Sequence, residues 1–198
     1  MVEELLAKPE EDREFGIVAV RDRHVGDNAT SEISDHVYPV GVTAQLRQAE
    51  RLEDGRYDII TIGARRFRIT EIDASAPLWR ARVEFLPEPD IDQSDARVRG
   101  IVARATSMFD TYRSVLGGRL QEEPDGDEHV PTDPTVLSYL ITAALIIDAT
   151  TRQELLASPD AITRLQEGMR ILGRETALIA ALGAVPAIDL LNSKNSVN

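Results

Sequence analysis

The hydrophobic repeat of this chain changes period once, at Leu86-Pro87-Glu88-Pro89-Asp90. Upstream of that point apolar residues recur at every second position; downstream they recur every three or four. A period of two belongs to a half-buried strand, and a period near 3.6 to a helix packed along one stripe. Two prolines at this spacing can neither donate to a strand ladder nor occupy a helix interior. The chain is therefore expected to be α+β, with a β-rich subdomain over residues 1–90 and a helical-bundle subdomain over 91–191. A disordered tail is expected over 192–198. At 198 residues, each half is long enough to bury a core.

Within the first region, Phe15 to Val20 reads as a short strand entering a turn-rich segment, Arg21 to Asp35, that contains Gly26-Asp27-Asn28. Val40, Val42, Ala44 and Leu46 alternate as in a half-buried strand. Asp54-Gly55 supplies hairpin chemistry, because positive φ is cheap for glycine. Two further strands are expected over Tyr57–Ile62 and Arg66–Ile72, broken at Gly63. In the last strand Trp79, Ala81, Val83 and Phe85 share one face, and Arg80, Arg82 and Glu84 the other. Several short strands separated by turns predict a small, strongly curved sheet or barrel.

The helical region opens near Gln93. Val98, Ile101, Val102, Ala105, Phe109, Tyr112, Val115 and Leu116 form one stripe, which Gly117-Gly118 is expected to stop. Arg119 to Pro134 reads as an acidic surface loop. Asp133-Pro134 predicts an N-cap with proline at the first helical position. The helix that follows, apolar nearly all round through Leu145, is expected to be the most buried. Thr151-Arg-Gln-Glu154 fits a capping box for a short helix ending near Ala157. Ser158-Pro159 then opens a last helix, with Ile162, Leu165, Met169, Leu172, Thr176 and Ile179 on its inner stripe, closed by Gly183 and Pro186.

Reactive groups are scarce. The absence of cysteine excludes disulfides and thiolate chemistry. The only lysines, Lys8 and Lys194, follow no glycine and lie in charged or polar segments, so neither a phosphate-binding loop nor a Ser–Lys dyad is present. His24, His36 and His129 lack metal-ligand spacing and read as solvated. The run Glu122, Glu123, Asp125, Asp127, Glu128 lacks the terminal bidentate glutamate of a calcium loop and reads as a solvated charge run. No cofactor and no catalytic or metal-binding residue is expected.

The net charge of −12 argues against DNA or an anionic membrane as partner. No apolar run is long enough to cross a bilayer and the N-terminus is amphipathic, so a cytoplasmic protein is expected. Arg66, Arg68, Arg80 and Arg82 would gather on one face if their strands pair. That face reads first as an outward surface balanced by Glu71 and Glu84, and second as an anion or RNA site. Trp79, the sole tryptophan, reads as a core aromatic ahead of an interface one.

Residues 38–69 resemble the amino-terminal substrate-binding domain of the Lon proteases. The likeness is carried by the Gly41-Val-Thr-Ala step, by Asp54-Gly55-Arg56-Tyr57, and by Gly63-x-x-Arg66-Phe67-Arg68-Ile69. Arg152-Gln-Glu-Leu-Leu through Arg164-Leu165 resembles the helical half of the same family. The resemblance implies a PUA-like β-barrel followed by a helical bundle, and recognition of protein substrates through exposed apolar or unfolded segments. Gly41, Asp54, Gly55, Arg56, Gly63, Arg66 and Phe67 are expected to be structural members of the motif. The family's ATPase and protease modules have no counterpart here, so a stand-alone, non-enzymatic form is expected.

The family's usual opening strand, of the Pro-Leu-Phe-Pro-Leu kind, has no counterpart ahead of Val2-Glu3-Glu4-Leu5-Leu6 either. That predicts a native start upstream of Met1 and a sheet edge left open. The expected function is binding of protein or peptide clients in quality control, with Tyr38, Leu78 and Trp79 as contact residues; whether a separate protease takes part stays open. Dimerisation stays open. The alternative is a PUA-like RNA-binding module using the four arginines.

Overall fold

A computed structural model describes residues 2–21, 36–76, 78–120 and 130–182. The chain divides between Pro87 and Glu88 into two units, Met1–Pro87 and Glu88–Asn198. His24, His129, the acidic run 122–128, the helix stop at Gly183 and Pro186, and the tail 192–198 lie outside the described residues.

The first unit opens with α1 (Val2–Leu6), which buries Leu5. Arg13 ties off its end, donating from Nε to the Lys8 carbonyl and from Nη2 to that of Leu6. Four strands follow: β1 (Glu14–Ile17), β2 (Val40–Arg51), β3 (Tyr57–Asp73) and β4 (Arg80–Leu86). They form one antiparallel sheet in the order β1-β2-β3-β4. β2 lies between two partners; Val40, Ala44 and Leu46 of the predicted stripe are buried, but Val42 is only half-buried and Gly41 and Thr43 of the other face are buried as well, so burial does not alternate there. Gly55 takes φ +85° in the β2–β3 turn, as the Asp-Gly pair requires.

Two expectations for this unit need correction. β1 ends at Ile17 rather than Val20; Val20 instead makes an isolated bridge with Val37. Gly63 does not break a strand, because β3 runs unbroken for 17 residues. The glycine marks a bulge instead, the other meaning of a glycine inside a strand.

The second unit carries α2 (Ala96–Leu120), α3 (Pro134–Ala144), α4 (Ala149–Leu156) and α5 (Ala161–Leu182). Phe109 and Tyr112 of α2 pack with Leu137 and Ile141 of α3 and with Leu165, Leu172 and Ile179 of α5. α2 continues through Gly117-Gly118. A glycine costs about 1 kcal/mol in a helix, too little to end one whose Val115 and Leu116 still pack on the core. Asp133 caps α3 as predicted, accepting from the N–H groups of Thr135 and Val136. The cap of α4 is Asp148, which accepts from Thr151 N–H at 2.9 Å, so Thr151 lies inside the helix rather than at a capping box. α5 likewise starts two residues later than Ser158-Pro159, with Asp160 accepting from Thr163 N–H at 2.8 Å.

The helical core holds a charge. Arg164 of α5 is 1% exposed. Its guanidinium donates to Ser138 Oγ (2.8 Å), to the Leu155 carbonyl (3.2 Å) and to Glu88 Oε1 (2.9 Å). It also stacks 4.1 Å above the Tyr139 ring, and the Tyr139 hydroxyl donates to the same Glu88 carboxylate. Each of the three guanidinium nitrogens donates to an acceptor, which is what makes burying it tolerable.

Candidate functional site

The glycine and aromatic residues of the motif form a cross-strand cassette. Phe67 on β3 lies directly opposite Gly41 on β2. A Cβ on Gly41 would fall 2.6 Å from Phe67 Cζ and 2.6 Å from the Ile17 carbonyl oxygen; one on Gly16 would fall 3.1 Å from the same ring. The ring therefore occupies the space that two missing side chains leave, and is buried there. Next to it, Ala64 and Arg65 together oppose the single residue Thr43. The Thr43 hydroxyl satisfies the bulge, accepting from Arg65 N–H (3.1 Å) and donating to the Arg65 carbonyl (3.3 Å). Gly41, Gly63 and Phe67 thus have a shape-setting role in the sheet. Thr43 was missed as an individual residue, although it stands inside the quoted Gly-Val-Thr-Ala step.

The hairpin turn is local in the same way. Asp54 accepts from Arg56 N–H (3.0 Å) and from Arg56 Nε (2.7 Å), both side chains remaining in solvent. Glu14, on β1, is held below the usual carboxylate range by the Thr43 hydroxyl beside it, then by Arg65, against an opposing effect of burial. Arg65 bonds Glu14 at 3.0 Å and lies 3.9 Å over the Phe85 ring.

Register brings the four strip arginines to one face of β3 and β4, though not as a bare cationic surface. Arg68 stands opposite Glu84, Arg82 opposite Glu71 and Arg80 opposite Asp73. Arg82 and Glu71 pair at 2.9 Å. Arg66 is buried rather than outward.

Tyr38, Leu78 and Trp79 are not gathered into one site. Tyr38 precedes β2, bonded through its N–H to Ala19 and covered by the Arg21 guanidinium at 5.3 Å. Leu78 and Trp79 sit in the β3–β4 connection, beyond the Asp73–Arg80 pair. From the Val40–Arg68 pair to Asp73 is five residues along β3, a separation of about 17 Å. The core reading of Trp79 is overturned, since its side chain is 55% exposed. Its alternation with Ala81, Val83 and Phe85 is real, but that face of β4 is itself largely exposed, Phe85 to 44%.

A patch that the sequence reading did not single out lies on β3. Ile60 and Ile62 share a face and are 57% and 53% exposed; Ile59 on the other face is also exposed. β4 pairs with β3 only from Arg66 to Asp73. Among the described residues, no strand pairs with the outer edge of Tyr57–Arg65. Three isoleucines in four residues were readable as a signal, but the strand assignment over Tyr57–Ile62 gave them no face. Among the described residues there is also no group of acidic or histidine side chains able to hold a metal, and no helix long and apolar enough to cross a membrane.

An antiparallel four-stranded sheet followed in the chain by packed helices defines an α+β protein. A family profile described as the ATP-dependent protease La (LON) substrate-binding domain matches residues 1–174, and the chain belongs to that family. It is 27% identical over 170 residues to Lon protease of Chloroflexus aggregans, a match covering 86% of this chain and 20% of that one. It is 30% identical over 179 residues to Lon protease 1 of Thermus thermophilus, covering 88% and 21%. The chain thus spans about a fifth of the length of the curated relatives it matches. The solved N-terminal domain of Mycobacterium avium complex Lon protease shares the fold, with a TM-score of 0.53 at 20% identity, over 80% of this chain and 90% of that one. Nothing in these comparisons supports RNA binding.

Proposed function

We propose that this chain is a non-catalytic recognition domain that holds protein clients in extended form for degradation by a separate protease in the cytoplasm. The observation that carries this reading is the edge of β3 beside Ile60 and Ile62, with which no strand among the described residues pairs. An extended client can add a strand there, main-chain hydrogen bonds giving affinity and alternate side chains meeting the isoleucines. Such recognition tolerates many sequences, because the backbone is common to all of them. Leu78 and Trp79 offer a second apolar contact at the β3–β4 connection, and Tyr38 a third before β2. Family membership supports the reading, as do the two curated relatives described above, both Lon proteases.

The test is fluorescence anisotropy with a labelled, permanently unfolded carboxymethylated protein. The wild-type chain is expected to bind it without cleaving it, with or without ATP. The double variant Ile60→Lys/Ile62→Lys, folded by circular dichroism, is expected to bind about tenfold more weakly. Trp79→Ala should have a smaller effect. Equal affinity in the double variant would remove the β3 edge from the reading, and cleavage by the chain alone would overturn its non-catalytic part.

A further inference from the structure

The helical unit has a groove of different character. It runs between α2 and α5 with a volume of about 690 Å³. Ile101, Met108 and Met169 form its floor, and Arg97, Arg104 and Arg170 stand along it. Among the described residues no acidic side chain lines it. Arg170 is held by Glu167 at 2.9 Å. Among the described residues neither Arg97 nor Arg104 pairs with a carboxylate. In a chain of net charge −12, two uncompensated guanidiniums seven residues apart on one helix, over an apolar floor, form a local inversion of the global charge.

We propose that this groove docks an acidic amphipathic helix of a partner protein. From Arg97 to Met108 the groove follows eleven residues of α2, a length of about 17 Å, enough for about three helical turns. A helix laid there would set apolar side chains on the methionines and isoleucine and carboxylates against Arg97 and Arg104. Methionine floors adapt to apolar side chains of differing shape, and arginine rims match carboxylates in paired hydrogen bonds. The charge selects the occupant: a second copy of this acidic chain would be repelled over most of its surface, and a basic segment would be repelled by the rim. Gly100 gives the site an independent handle, because a Cβ built there meets nothing within 4 Å. A large side chain at that position fills the groove without displacing the helices.

The proposal is tested on the whole chain with a labelled helical peptide of about 15 residues, with leucine on one face and glutamate on the other. Controls are the same peptide with lysine for glutamate, a scrambled sequence, and single-stranded RNA. The glutamate peptide is expected to bind, more weakly as salt is added, while the lysine and scrambled peptides do not. Arg97→Glu/Arg104→Glu should weaken binding about tenfold or more, and Gly100→Phe should abolish it. Both variants are expected to keep wild-type circular dichroism and wild-type affinity for the unfolded client. Peptide affinity unchanged in these variants, or no binding at low salt, would overturn the proposal. RNA bound with the same dependence on Arg97 and Arg104 would overturn it in favour of a phosphate site.

Discussion

In the β unit the residues that set the shape are small: Gly16 and Gly41 make room for one ring, and a threonine hydroxyl fills one bulge. In the helical unit the corresponding position is held by a large charged side chain, Arg164, satisfied by Ser138, Glu88 and a backbone carbonyl. The first solution fixes backbone against backbone and leaves isoleucines of β3 in solvent. The second closes a core around a polar knot. The difference separates two tasks. A sheet held by its own strand geometry can keep an edge uncovered for a partner, whereas a bundle knotted through one arginine is suited to rigid support and to presenting grooves on its outside.

That contrast can be broken experimentally, starting where the effect is largest. Arg164→Ala leaves the Glu88 carboxylate without its cation, and the helical unit should lose about 4 kcal/mol. Chemical denaturation followed by helix ellipticity reads this, and a loss below about 1 kcal/mol would remove the distinction between the units. Phe67→Ala should cost the sheet about 3 kcal/mol by emptying the space over Gly16 and Gly41. Gly41→Ala attacks the same contact from the other side and should cost about 2 kcal/mol through overpacking. Hydrogen exchange resolved by segment should place both losses in β1–β3 and leave α2–α5 protected. If the helices lose protection equally, the units do not open independently.

Asp160→Ala, which removes the α5 cap, should cost about 1 kcal/mol, read as a lower melting temperature of the helical unit. The smallest effect is on acid stability. Asp148 and Asp160 are held below the usual carboxylate range, chiefly by the N–H groups of Thr151 and Thr163 respectively. Their contribution is therefore complete above the ordinary carboxylate value of about 4 and is lost as pH falls through the depressed folded values. Denaturation midpoints measured downward from about pH 5 should show that acid limb, and Asp160→Asn, which keeps a cap without a titrating group, should flatten part of it.

Most of the fold was legible because each region repeats its period several times. Ala105, Phe109, Tyr112, Leu165, Leu172 and Ile179 were all placed on inner stripes, and all are buried. The cap at Asp133 was legible because proline follows it. The misplaced caps at Thr151 and Ser158 had an aspartate within three residues that could do the same work from a position the sequence alone does not rank. Arg164 went unnoticed as a buried group, although it falls on the stripe that joins Ala161, Gly168 and Ile171 of α5. A charge at such a position is the mark of an internal partner, and that partner, Glu88, lies 76 residues away. The exposed β3 isoleucines escaped for the opposite reason. Hydropathy reports what a side chain prefers, and these three side chains stand against that preference.

The bulge at Ala64-Arg65 has a consequence for the whole length of β3. Before it, the even-numbered Ile60 and Ile62 share a side with Gln45; after it, the odd-numbered Phe67 shares that side with Gly41. One inserted residue thus inverts the parity of the strand, so that the solvent-facing isoleucines and the seated ring belong to a single continuous surface. Shortening the chain by one residue at Ala64 would leave Arg65 alone opposite Thr43, so that β3 alternates evenly through this stretch while Phe67 keeps its place opposite Gly41.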